Sequence, residues 1–249
     1  MSVNLDNILS LADEYLQELP PALPPFRAPI GVELASWIDH TILKPDATEL
    51  QVKKHCDEAR QYRFATVCVN PAFVHLASEL LSESGVAVCS VVGFPLGATF
   101  PAVKALETRQ VIAAGAIEID TVINLGAMKS GNYSLVLSDV QSVVEAAAGS
   151  AHVKVILEMC YLDLREKIIA CLLCKAAGVD FVKTSTGFGS GGATADDVEL
   201  MRRLVGADMG VKAAGGIRTL QDALRMIAAG ANRLGASAGI SILKETGAI

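Results

Sequence analysis

Seven charged side chains fall inside stretches otherwise built from small and branched apolar residues: Asp39, Glu118, Asp120, Lys154, Glu158, Lys183 and Lys212. A charge in a buried strand costs several kcal/mol unless it is paired or neutralised, so each one asks for a reason. In a strand, residues two apart share a face, which puts Glu118 with Asp120 and Lys154 with Glu158. If Asp120, Lys183 and Lys212 all point inward, two amines and a carboxylate share one cavity. A lysine amine is nucleophilic only when unprotonated, and its free pKa is about 10.4. A neighbouring cation and partial desolvation both favour the neutral form. Such an amine adds to an aldehyde, loses water and becomes an iminium, an electron sink that lets the C–C bond beta to it break or form. The second lysine and the carboxylate can then tune the first and move protons. The plainer alternative is an internal ion-pair cluster that holds strands together, and it applies with more force to Glu118, Lys154 and Glu158.

A second group of residues is suited to an anion. TSTGFGSGG follows the Lys183 run, AAGGIR follows the Lys212 run, and LGASAG follows the last apolar run. Glycine-rich turns present backbone N–H groups, and Thr186, Gly187, Gly215, Gly216, Gly235 and Ser237 are the candidates to cradle a phosphate, with Arg218 as a nearby cation. Glycine also serves ordinary turns, so the weight lies in three such runs in succession. Cys68, in VCVNP, is placed to line the same mouth, or to be a buried bystander. The four histidines, His40, His55, His75 and His152, lack metal-ligand spacing, so no metal is expected. No Ser–His or Cys–His arrangement supports a hydrolase.

These residues need elements to hold them. From Trp37 onward, apolar runs too short for helices alternate with longer runs of helical period. The strand candidates are WIDHTIL, FATVCVN, VAVCSVVGF, IEIDTVIN, VKVILEM, VDFVKTST, GVKAAGG and NRLGAS, and the last helix candidate is GISILKE. Eight strand–helix units predict a parallel (β/α)8 TIM barrel, whose chemistry sits at the C-terminal ends of the strands. A doubly wound sheet is the alternative, but no GxGxxG follows the first strand. Residues 1–33 stand apart as an N-terminal extension. Leu5, Ile8, Leu9 and Leu16 give a short helical stripe, and PPALPPFRAP gives a stiff linker; residues 34–249 form the barrel domain.

Composition agrees with this division. Hydrophobic residues make up 51% and charged residues 19% of the 249, enough for a large core. The net charge of −6 comes without a basic run or aromatic–basic interleaving, which argues against nucleic acid. No export signal and no membrane-length apolar run is present, and six scattered cysteines suit a reduced, cytoplasmic enzyme. Cys171 and Cys174 form a CxxC within IIACLLCKAAG, which reads as two small apolar residues one helical turn apart.

The runs WIDHTILKPDAT, VCVNPAFV, VVGFPLGA, EIDTVINLGAMKSGNY, FVKTSTGFG, VKAAGGIRT and LGASAGISIL, in this order from Ser36 to Leu243, together resemble the deoxyribose-phosphate aldolase family. The resemblance implies that Lys183, in KTSTG, forms the Schiff base, that Lys212 is the second catalytic lysine, and that Asp120 is the proton-transfer partner. It implies that Asp39 lies near the substrate hydroxyl groups and that Gly187, Gly215, Gly216, Gly235 and Ser237 hold phosphate. The implied reaction is reversible cleavage of 2-deoxy-D-ribose 5-phosphate to acetaldehyde and D-glyceraldehyde 3-phosphate, without metal or organic cofactor, in a homodimer or homotetramer. Two departures stand out. Some members end in a tail with a terminal tyrosine where this sequence reads KETGAI, so Asp120, Lys212 and water are expected to move the protons. Phe188 follows KTSTG where some members have lysine. The competing functional readings are a phosphate-binding isomerase with Asp120 or Glu158 as base, and a non-catalytic sugar-phosphate sensor.

Overall fold

The computed structural model describes residues 4–24 and 26–248, so residues 1–3, 25 and 249 of the expected extension and barrel lie outside the described residues. Eight parallel strands close into a barrel in sequence order: β1 (Ile38–Ile42), β2 (Thr66–Val69), β3 (Ala87–Val92), β4 (Glu118–Val122), β5 (His152–Ile156), β6 (Phe181–Lys183), β7 (Gly210–Ala214) and β8 (Arg233–Ala236). The helices are α1 (Leu5–Gln17), α2 (Glu49–Tyr62), α3 (Val74–Leu80), α4 (Pro101–Ala113), α5 (Leu125–Lys129), α6 (Tyr133–Ala147), α7 (Leu164–Ala177), α8 (Ala195–Val205), α9 (Leu220–Ala228) and α10 (Gly239–Glu245). The expected TIM barrel is the observed fold, and its last helix is GISILKE as read. No helix among the described residues is long and apolar enough to cross a membrane.

Local chemistry explains where the helices begin. Thr48 with Gln51, Asp163 with Glu166 and Thr219 with Asp222 each form reciprocal caps, so α2, α7 and α9 start one residue after a strand-end loop. Gly178 closes α7 at φ +76, a left-handed position that glycine adopts at little cost. Cys171 and Cys174 are both buried on α7, as two small core residues.

The extension lies along the outside of the barrel. Ile8 and Ala12 are the buried face of α1, while Leu5, Leu9 and Leu16 are partly covered. Arg165 of α7 donates to Asp13 at 2.8 Å, and Arg203 of α8 donates to the Pro20 carbonyl at 2.6 Å. Phe26 meets Trp37 edge-on, at 6.2 Å between centroids, just before β1 begins.

One charged pair lies between helices rather than in the lumen. Lys104 of α4 donates to Asp139 of α6 at 2.5 Å and to the carbonyl of Val122, at the end of β4, at 2.6 Å. Both side chains are buried, and the second Asp139 oxygen has no partner. Burial lowers the pKa of Lys104 and raises that of Asp139 against their mutual attraction.

Candidate active site

Inside the barrel the expected charges converge. Lys183 and Lys212 are register partners on β6 and β7, so two ammonium groups stand side by side, an arrangement that repels unless something lies between them. Asp120 supplies it from β4. One of its oxygens accepts from Lys183 at 2.8 Å and from Lys212 at 2.6 Å; the other accepts from Lys154 of β5 at 2.8 Å. Lys212 also pairs with Asp39 of β1, and Lys154 with Glu118 at 2.7 Å. Arg233 of β8 completes the ring, 2.8 Å from Asp39 and 3.3 Å from Glu118. Four cationic groups thus meet three carboxylates.

The electrostatics follow from that ring. Burial disfavours charge on Asp120, but Lys154, Lys183 and Lys212 together outweigh it and hold the carboxyl well below its usual range. Asp39 is lowered in the same way, burial being overcome by Lys212, Lys154 and Arg233. Burial also opposes charge on Lys212, yet Asp120 and Asp39 raise its pKa above the ordinary lysine value. Lys154 is raised well above that value, chiefly by Asp120 acting against burial. Among the described residues, Lys183 makes its one charged contact with the Asp120 oxygen that Lys212 already shares.

Two thiols wall the cavity. Cys68 and Cys89 are register partners on β2 and β3, and the Cys89 sulfur lies 3.3 Å from both Asp120 and Lys154. Burial pushes the Cys89 thiol up, and a hydrogen bond from Cys89 draws Cys68 down. Cys68 has no exposed surface and packs with Leu43, Cys89, Val91 and Phe94.

The strand-end loops hold one correction. Glu158 is not in β5 and does not share a face with Lys154: the strand ends at Ile156, and Glu158 follows it at φ +52. Its carboxylate accepts the backbone N–H of Thr186 at 3.2 Å and also the Thr186 hydroxyl. The Thr186 hydroxyl oxygen in turn accepts the Phe188 N–H at 3.0 Å. Gly187, Gly215 and Gly216 all have positive φ, and Gly215 lies so near Gly192 that a side chain on Gly192 would meet the Gly215 carbonyl at 2.4 Å. A Cβ on Gly235 would come within 3.2 Å of the Lys212 stem and 2.9 Å of Ala214, so this glycine makes room for the lysine. Ser237 and Arg218 are exposed, and the Arg218 N–H is taken by Asp222.

Arg233, Cys89 and Lys104 escaped the reading of the sequence. Arg233 was detectable, since it is a charge within the apolar run NRLGAS. The structure also brings together His40, His55 and Glu58, whose ligand atoms lie within 4.8 Å of one another. The His40 and His55 rings are stacked at 4.5 Å and 22°, and His40 is stacked on Phe64 as well. Stacked imidazoles point their in-plane lone pairs side by side rather than at a common point. Burial holds His40 down to about 4 despite its bond to Glu58, so it is neutral at pH 7.

Residues 34–246 match the sequence model of the DeoC/LacD family aldolases. The chain belongs to this aldolase family. It is 58% identical over 212 residues to a protein of Streptococcus suis named deoxyribose-phosphate aldolase, covering 85% of this chain and 96% of that one. A protein of the same name from Caldanaerobacter subterraneus is 56% identical over 216 residues, covering 86% and 94%. Among solved structures, the tetrameric deoxyribose phosphate aldolase of Aeropyrum pernix superposes with a TM-score of 0.81 at 35% identity, covering 98% of both chains. The protein is thus a lyase of the aldolase type.

Proposed function

We propose that the chain cleaves 2-deoxy-D-ribose 5-phosphate reversibly to acetaldehyde and D-glyceraldehyde 3-phosphate, through a Schiff base on Lys183. The observation that carries this reading is the sharing of one Asp120 oxygen by Lys183 and Lys212. With every group ionised the ring has one cation too many. Lys154 and Lys212 each contact two carboxylates, whereas Lys183 contacts one of them, Asp120.

The chemistry then runs as follows. The Lys183 amine adds to the C1 carbonyl of the open-chain sugar, and the carbinolamine loses water to give an iminium. A base takes the proton of the C3 hydroxyl, the C2–C3 bond breaks, and its electrons move into the iminium to leave an enamine. D-glyceraldehyde 3-phosphate departs, C2 is protonated, and water releases acetaldehyde and the free amine. Asp120, Lys212 and water within the cavity are the proton carriers of this proposal, and Asp39 lies beside the sugar hydroxyls. The backbone N–H groups of the Gly187 and Gly215 loops, and of the turn at Ser237 that follows Gly235 of β8, are proposed to face the phosphate, at the C-terminal ends of β6, β7 and β8.

An isomerase with Asp120 as its carbon base fits the geometry less well, because both Asp120 oxygens are already bonded to ammonium groups. Glu158 is likewise engaged by Thr186. We further propose that the chain works as a homo-oligomer, which light scattering of the purified protein reads directly. The central test is borohydride trapping with deoxyribose 5-phosphate, followed by peptide mass mapping. Label on the Lys183 peptide, absent in Lys183→Ala together with acetaldehyde release, is expected. Label elsewhere would sink the assignment.

A further inference from the structure

The barrel mouth is spanned by two aromatic rings. Phe94 follows β3 and Phe188 follows β6, and these strands are three apart in a ring of eight. Loops on such strands are separated by two intervening strands, yet the two rings meet edge to face with centroids 5.4 Å apart. A contact between them has to cross the opening. Beneath it, Phe94 rests on Leu43, Cys68, Cys89 and Val91, the Cys89 sulfur touches Asp120, and Asp120 holds Lys183. Lys183, at the base of this stack, is only 3% exposed.

The two halves are held differently. The Phe94 side is pinned: the Gly93 N–H donates to Glu107 of α4 at 2.8 Å and the Gly97 N–H donates to Gly93 at 2.7 Å. Gly97 sits so close to β4 that a Cβ there would meet the Ile123 carbonyl at 1.9 Å. Phe188, by contrast, is 51% exposed and follows Gly187, around which there is open space: a Cβ built there meets nothing within 4 Å. Thr186, fixed on Glu158, accepts the Phe188 N–H at 3.0 Å, so the turn holds the Phe188 backbone while its ring stays exposed.

Building on Lys183 as the Schiff-base lysine, we propose that Phe94 and Phe188 form an aromatic gate over the site, with Phe188 as its moving half. The gate sets how bulky an aldehyde can reach Lys183 and shields the iminium from water once closed. It selects for slender, unbranched aldehydes.

The test is reductive labelling of the full chain with cyanoborohydride and either acetaldehyde or 3-phenylpropanal. Lys183 and the aldehyde lose water to form the iminium, cyanoborohydride delivers hydride to its carbon, and the secondary amine is read on the Lys183 peptide. The measured quantity is the ratio of the labelling rates, bulky over small. Phe188→Ala should raise that ratio by about tenfold, the upper range for loss of one aromatic pair, and Phe188→Trp should lower it. Phe94→Ala should raise it as well, from the pinned side. An unchanged ratio in all three, with Lys183 still labelled, overturns the gate and leaves the aldolase reading intact. Wild-type protein in which neither aldehyde labels Lys183 overturns both.

Discussion

Lys104 is buried beside β4 with Asp139 as its one ionic partner among the described residues, and its removal has a calculable cost. Lys104→Met keeps the length of the side chain and deletes the charge. Asp139, whose second oxygen already lacks a partner, is then a buried and uncompensated carboxylate. Breaking a buried pair from one side costs about 3–5 kcal/mol. At about 2–4 °C per kcal/mol for a chain of this size, Tm should fall by roughly 6–20 °C. Adding Asp139→Ala removes the stranded charge and should restore most of that loss, leaving about 1 kcal/mol for the Val122 carbonyl without its donor. The pH dependence has a definite sign. Burial already raises the Asp139 carboxyl, and it rises further without Lys104. A group whose pKa is raised by folding stabilises the fold below its unfolded pKa and costs stability as pH climbs through the folded one. The gap between variant and wild type should therefore narrow as pH drops from 7 toward 4. Denaturant midpoints for the three variants at several pH values measure this. A cost below about 1 kcal/mol, or a gap that widens in acid, would refute the reasoning.

Three further outcomes are expected. Lys212→Leu removes the cation that shares an Asp120 oxygen with Lys183, so the acid limb of kcat/KM against pH should move to higher pH besides the rate falling; an unmoved limb would confine Lys212 to binding or proton transfer. Asp39 and Asp120 have depressed pKa values, so their stabilisation is complete above about pH 4 and is lost as pH falls; Asp39→Asn should flatten the decline in denaturant midpoint between pH 5 and pH 3. Gly97→Ala drives a Cβ into the Ile123 carbonyl at a φ of +67 and should cost more than about 3 kcal/mol by chemical denaturation, whereas Gly131→Ala, with open space around it, should cost far less.

Much of this was readable from the residues themselves. Strand alternation placed Glu118 and Asp120 on one face, and both point into the lumen. The short apolar runs marked all eight strands, because strands buried on both faces are nearly continuous in hydrophobicity. The misreading of Glu158 has a physical origin: VKVILEM is apolar past the point where the ladder ends, and apolarity alone does not report a switch to left-handed backbone. Lys104 and Asp139 were invisible for a different reason. A lysine in a helix of mixed composition reads as solvent-facing, and only the packing of α4 against α6 reveals otherwise. The Phe94–Phe188 contact joins residues 94 apart across the ring, which no local pattern encodes.

The ionic ring also divides the chain. Its three carboxylates come from β1 and β4, and its four cations come from β5, β6, β7 and β8. Each half of the polypeptide, made alone, would gather charges of one sign in its lumen and repel itself. Only when the halves meet are those charges matched, so assembling the reactive centre and closing the barrel become one event. Two fragments cut between β4 and β5 would carry opposite, complementary interiors, each the other's missing counter-charge.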